Sequence, residues 1–410
     1  MAGLSLSLVL VVALLTWRLV SGGDTTTYRV PPRVSSAPPQ VEPDAAAALL
    51  QRLERAVQRG DRDAAVALAS PDDTSTAEQL GGLVDNASAA RITGVTLRYI
   101  DETGGPADDG SWPAAVAVTW RYAGFDEAAA RTEVAMRFRA TSPGAVIVGI
   151  GAADLRTPVW MSGPAQVQRT RTTLVLVVGD EQSSAASYDR LAAAAVPVVA
   201  RVLPDWKPRL VVEVPADETA LERALGVESG YYGQIAAVTG SADGSTAPGS
   251  PVHVYVNPDV FDGLGSQGQS VVLDHEAAHV AGHGPRSQAP TWLVEGFADY
   301  VALRDTTLPL SKTAAQISTV VRRQGLPEAL PGPADFDTRE THLGAIYESA
   351  WLICVTLADR GGQAALTTLY AGVSAGEPLD QALRAGFDWS EADLVRAWQD
   401  RLSDVARDPA

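Results

Sequence analysis

The chain has 410 residues, 46% of them hydrophobic and 20% charged, which is enough for two or three domains with real cores and rules out a wholly disordered polymer. Its 49 acidic and 32 basic residues leave a formal net charge of −17, a surface that repels phosphate backbones and argues against a nucleic-acid partner. The single cysteine, Cys354, excludes an internal disulfide and any cysteine-built metal site, so metal ligands would have to be histidine or carboxylate.

In chain order, the first element is an apolar segment within residues 1–22. Leu4 to Trp17 is interrupted only by Ser5, Ser7 and Thr16, and Arg18 follows. Such a segment directs a chain to a membrane, as a cleaved signal peptide or a retained anchor. The absence of a cysteine after it excludes lipoprotein processing. The folded parts are therefore expected outside the cytoplasm, secreted or held on the cell membrane by this segment. Residues 23–43 carry Pro31, Pro32, Pro38, Pro39 and Pro43 among Ser and Thr, a composition that stays extended as a linker.

Residues 44–165 predict an α+β domain. Leu49, Leu50, Leu53, Ala56 and Val57, then Ala64, Val66 and Leu68, have helical spacing on either side of Arg59-Gly60-Asp61. From Arg91 the period becomes two: Val95, Leu97 and Tyr99; Val116, Val118 and Trp120; Val134, Met136 and Phe138; Val146, Val148 and Ile150. Two helices followed by a meander resemble the cone-shaped NTF2-like fold, which implies an accessory domain.

Residues 166–410 predict a second α+β domain, a small sheet followed by helices. Strands are expected over 172–178, 210–214, 235–238 and 252–256, with an exposed loop from Gly240 to Pro251 and helices over 188–202, 314–323, 343–359, 363–373 and 391–405. His253 is read as a strand residue among polar neighbours. The strand at 235–238, or the one after it, could form a sheet edge for an extended peptide.

The chemistry is concentrated in His275-Glu276-Ala277-Ala278-His279. On a helix, histidines four apart share a face and can offer two nitrogens to one metal ion, with Glu276 beside them to handle the proton of an attacking water. The helix should stop near Gly282 and Gly284, before Pro285. A second helix is expected over Pro290-Thr291-Trp292-Leu293-Val294-Glu295-Gly296-Phe297-Ala298-Asp299-Tyr300, with Thr291 as its N-cap. Glu295 can supply a third ligand, and Asp299, one turn on, can accept the remaining N–H of a ligand histidine. Three protein ligands leave a fourth position open, as in catalytic zinc sites.

HEAAH followed by TWLVEGFADY resembles the gluzincin metallopeptidases, most closely the bacterial peptidase-MA-like proteins. The resemblance implies a thermolysin-like domain, one catalytic zinc on His275, His279 and Glu295, Glu276 as general base and Asp299 as the carboxylate supporting a ligand histidine. It also implies a tyrosine on a later helix as donor to the oxyanion. Tyr347, in Ala345-Ile346-Tyr347-Glu348-Ser349-Ala350-Trp351, fits that segment, as Trp389 to Trp398 fits the family's closing helix. Tyr347 also sits on a stripe with Leu343, Ile346, Ala350, Trp351 and Cys354 that suits plain core packing, and His342 is the alternative donor. The metzincin pattern, begun by HExxHxxG, needs a histidine at 285, where Pro285 stands; His283 comes two residues early and reads as a loop residue. The implied function is zinc-dependent hydrolysis of a peptide or protein substrate. The alternative is a cell-surface binding or scaffold protein that retains a metallopeptidase fold.

Overall fold

The computed structural model describes residues 41–142, 144–151, 155–179, 184–338 and 342–407. The N-terminal apolar segment and nearly all of the Pro-rich linker fall outside that set. Helix α1 (Pro43–Arg59) starts with proline in its first turn and stops at Gly60, where the backbone turns left-handed; it buries Ala46, Leu49, Leu50, Leu53, Ala56 and Val57 on one stripe. Helix α2 (Thr74–Ala89) is capped by Asp73, whose side chain accepts from Thr76 N. Both cover a four-stranded antiparallel meander of β1 (Ile92–Glu102), β2 (Ser111–Tyr122), β3 (Ala130–Thr141) and β4 (Gly144–Ile150). The inward residues of β4 are Ala145, Ile147 and Ile150, not Val146 and Val148. A register shift opposite Arg137 and Phe138 inserts one extra residue, which reverses the parity along the strand.

The second sheet has the order β5-β6-β7-β9-β8, from β5 (Ala165–Arg169), β6 (Thr173–Val178), β7 (Leu210–Val214), β8 (Ala237–Ser241) and β9 (Val252–Val256). Its three central strands, β6, β7 and β9, are parallel, and the outer two run antiparallel to them. Every residue of β6 and β7 is buried, as expected of strands covered on both faces. Helix α3 (Ala185–Ala200) and the helical C-terminal half pack on one face, through Val175, Val177, Val212, Val214, Val254 and Val256. The opposite face sends Leu174, Leu176 and Val211 into the same core as the meander, and the short α4 (Glu218–Leu225) covers its remainder.

On that second face lies a fully buried polar cluster. The His253 ring is held by Glu213 of β7 (Nδ1 to Oε1, 2.7 Å) and by Asp126 of the β2–β3 connection (Nε2 to Oδ1, 3.0 Å). Asp126 also accepts from Tyr122 N at 2.7 Å. Burial works against protonation of His253, but the two carboxylates outweigh it and raise its pKa to about 10. His253 is thus a strand residue among polar neighbours, and it joins the meander to the second sheet.

The C-terminal half comprises α5 (Ser266–Ala281), α6 (Thr291–Leu303), α7 (Ala315–Gln324), α8 (Leu343–Ser374), α9 (Leu379–Phe387) and α10 (Glu391–Arg407). The two helices expected over 343–373 are halves of α8, which kinks at Gly362 (φ 80°, ψ 163°). The chain is therefore α+β in both halves. Among the described residues no helix is long and apolar enough to cross a membrane.

Candidate active site

Helix α5 runs beneath the sheet edge and ends at Ala281, with Gly282 as its cap and Pro285 in a tight turn beyond. Tyr370 of α8 donates to Gly282 O (3.1 Å) and stacks on Phe297 of α6, so the end of α5, α6 and α8 are locked together. Thr291 is the first residue of α6 and makes no side-chain cap; Pro290 precedes it instead. Helices α6 and α8 approach so closely at Gly296 that a Cβ there would lie 2.2 Å from Ala350 O. That close approach sets Glu295, the preceding residue, against α5.

The residues expected to form the site meet. His275 Nε2, His279 Nε2 and one Glu295 oxygen form a triangle with edges of 2.9, 3.2 and 3.3 Å. Donors placed about 2.0–2.1 Å from a shared tetrahedral centre would stand about 3.3 Å apart, so the three atoms fit a zinc ion. They form the one group of three possible metal ligands among the described residues. His275 Nδ1 lies 2.7 Å from Asp299 Oδ1. Asp299 therefore accepts a hydrogen bond from Nδ1–H, which turns Nε2 toward the triangle. The electrostatics favour positive charge there. Burial opposes a charged His275, yet Asp299 and Glu295 hold its pKa well above the ordinary value. Burial likewise opposes the Glu295 carboxylate, but the two histidines keep it well below the usual range.

Glu276, next to His275 on α5, is buried. Its Oε2 accepts from Thr239 Oγ1 of β8 at 2.6 Å. Thr239 was not singled out by the sequence, because nothing in a lone strand threonine signals a partner 37 residues away. The same cavity, of about 190 Å³, is lined by Glu276, the three ligand candidates, Thr239, Tyr232 and Tyr347. Tyr347 is held against Phe336 (5.5 Å, edge-on) and lies 6.2 Å from the His275 ring. Burial, reinforced by Glu295, pushes its phenol well above the ordinary value, so it stays protonated as a donor. His342 precedes α8, is exposed and lines a different groove with Gln316 and Ala345. His283 adopts a left-handed backbone (φ 57°) and lines a separate hollow of about 520 Å³. Cys354 is buried against Gly296.

Residues 232–317 match the model of a family described as peptidase of plants and bacteria. The matched stretch runs from Tyr232 through β8, α5 and α6, and so contains the edge strand, both histidines, Glu276, Glu295 and Asp299. It relates this part of the chain to peptidases, with peptide or protein substrates. No curated protein matches the chain.

Proposed function

We propose that the protein is an extracytoplasmic zinc-dependent peptidase, with residues 44–165 as an NTF2-like accessory domain and 166–410 as a gluzincin catalytic domain. The observation that supports this best is the triangle of His275, His279 and Glu295 beside Glu276 and Tyr347 in one cavity. A zinc ion held by the three ligands would acidify the attacking water and polarise the scissile carbonyl. The remaining work falls to side chains of this chain. Asp299 fixes the tautomer and tilt of His275. Glu276, one oxygen engaged by Thr239, takes the water proton and passes it to the leaving amine. Tyr347 donates to the oxygen that becomes negative as the carbonyl turns tetrahedral. The N-terminal apolar segment supports export, and would hold the protein on the membrane if uncleaved.

The test compares wild type, His279→Ala and Glu276→Gln. One zinc per chain by elemental analysis is expected in wild type and Glu276→Gln and little in His279→Ala, while Glu276→Gln should hydrolyse a broad peptide library about a hundred to ten thousand times more slowly. Full zinc retention in His279→Ala, or undiminished cleavage by Glu276→Gln, would end this reading. A wild type that binds zinc and cleaves nothing would instead be a scaffold protein that keeps a metallopeptidase fold.

A further inference from the structure

The outer edge of β8 ends at a cation. Asn257 N donates to Ala236 O and Ala242 N to Pro251 O, both at 2.9 Å, so residues 236, 238, 240 and 242 form the hydrogen-bonded pairs with β9. In an antiparallel ladder the intervening residues, Ala237, Thr239 and Ser241, then turn their N–H and C=O groups away from β9. Strand β8 is the last in the sheet, so those groups face an open edge. That edge stops at Ser241, whose carbonyl accepts from Gly244 N (3.2 Å) and from Arg156 Nη1 (3.4 Å).

Arg156 reaches this point from the segment before β5. Its side chain lies across the cap of α4 and the turn after β8, where a Cβ on Gly226 or Gly244 would come within 2.8 Å of it. Among the described residues it has no carboxylate partner; its one hydrogen bond is the long one to Ser241 O. The guanidinium also lies within electrostatic reach of a cleft-lining ring. The Tyr232 phenol, pushed up to about 12 mainly by burial, is lowered by Arg156 and raised by Glu276, so both charges bear on one cleft-lining ring.

We infer that Arg156 is a specificity-determining residue that pairs with a carboxylate of the peptide substrate. The inference rests on the proposed peptidase reading. A strand laid along Ala237 and Thr239 is brought beside Glu276 by Thr239, and two residues further along β8, about 6.7 Å away, its next contact is a guanidinium with no carboxylate partner among the described residues. On a chain of net charge −17 an acidic peptide is otherwise repelled, so an arginine at the end of the edge decides where a negative group can sit. The carboxylate can come from an Asp or Glu side chain or from the C-terminus of the peptide. The two sources share this chemistry and are separated by the substrates used.

The experiment uses the full chain loaded with zinc. Quenched fluorescent peptides carry Asp or Glu at each successive position, paired with Asn or Gln isosteres, and each is made as free acid and as C-terminal amide. The quantity read is the ratio of kcat/KM between an acidic peptide and its isostere, or between acid and amide. In wild type one position, or the free C-terminus, should give a ratio of about ten. Arg156→Gln should bring that ratio to about one, and Arg156→Lys should keep most of it. A ratio that survives in Arg156→Gln overturns the inference, even if overall rates fall, since equal loss on both peptides marks a structural role. A wild type that cleaves but ignores charge ends this inference alone, whereas one that cleaves none of the peptides ends the peptidase reading and the inference with it.

Discussion

The hydroxyl of Thr239 makes a quantitative case. It lies 2.6 Å from Glu276 Oε2 and 3.1 Å from Glu276 O, and its single proton goes to the shorter, charge-assisted contact. Thr239→Val removes that donor at nearly constant volume in a strand that tolerates valine well. A hydrogen bond to a charged group is worth about 1.5–3 kcal/mol. If Glu276 is the base, losing its orientation should cost about ten to a hundred and fifty-fold in kcat. That is less than the loss from Glu276→Gln, because a loosened carboxylate still accepts protons. KM and zinc content should change little, and Thr239→Ser, which restores the hydroxyl, should recover most of the rate. The decisive comparison is the double variant: once Glu276 is glutamine, removing the Thr239 hydroxyl should bring little further loss. Steady-state peptide hydrolysis with thermal midpoints for wild type and the four variants measures this. A Thr239→Val enzyme within twofold of wild type, or a double variant whose loss is the product of the single losses, would refute the assignment.

His253→Leu should destabilise the protein by about 3–5 kcal/mol in denaturant unfolding, because it leaves Asp126 and Glu213 as buried carboxylates without the histidine between them. In wild type, the His253 pKa of about 10 lies above its unfolded value near 6.5; its stabilising contribution is complete below about pH 6.5 and declines as pH rises towards 10, so unfolding midpoints should fall across that window and should not in His253→Leu. Gly296→Ala forces a methyl against Ala350 O, where a Cβ would lie 2.2 Å away; a loss of about 1–3 kcal/mol or more in stability is expected, together with reduced zinc content as Glu295 is displaced.

The proposed zinc site was legible because its parts are local. His275, Glu276 and His279 are fixed by one turn of helix, and Glu295 and Asp299 by one turn of the next. Gly296 lets the second of these helices pack closely on α8, which holds Glu295 in place. The contributions from across the fold were not legible. Thr239 reaches Glu276 only because β8 is the outer strand beside α5. Asp126, Glu213 and His253 converge from the β2–β3 connection, β7 and β9. Helix α2 was hidden by Thr, Ser and the pair Gly81-Gly82, and tertiary packing overrides that weak propensity: Gly82 sits against Pro164, and Asn86 donates to Trp160 O and Gly163 O. Strand β5 was missed because Ala165, Val167 and Arg169 alternate with glutamines on a half-buried edge. Conversely, the helical spacing over 343–359 and 363–373 matches the two halves of α8, which Gly362 separates.

The core shared by the meander and the second sheet bears on how this protein can be divided. Leu174, Leu176 and Val211 belong to the sheet that carries the HExxH helix, yet they are buried among Leu80, Val116 and Trp160 from the first 160 residues. A fragment beginning near residue 165 would present one apolar sheet face to water, with Glu213 and His253 newly exposed in it, and should aggregate instead of folding as a minimal protease. The reverse fragment would lose the other wall of its core. Unfolding should accordingly be a single cooperative event spanning both halves, so damage to α1 or the meander would be felt at the proposed zinc site, which none of those residues touches.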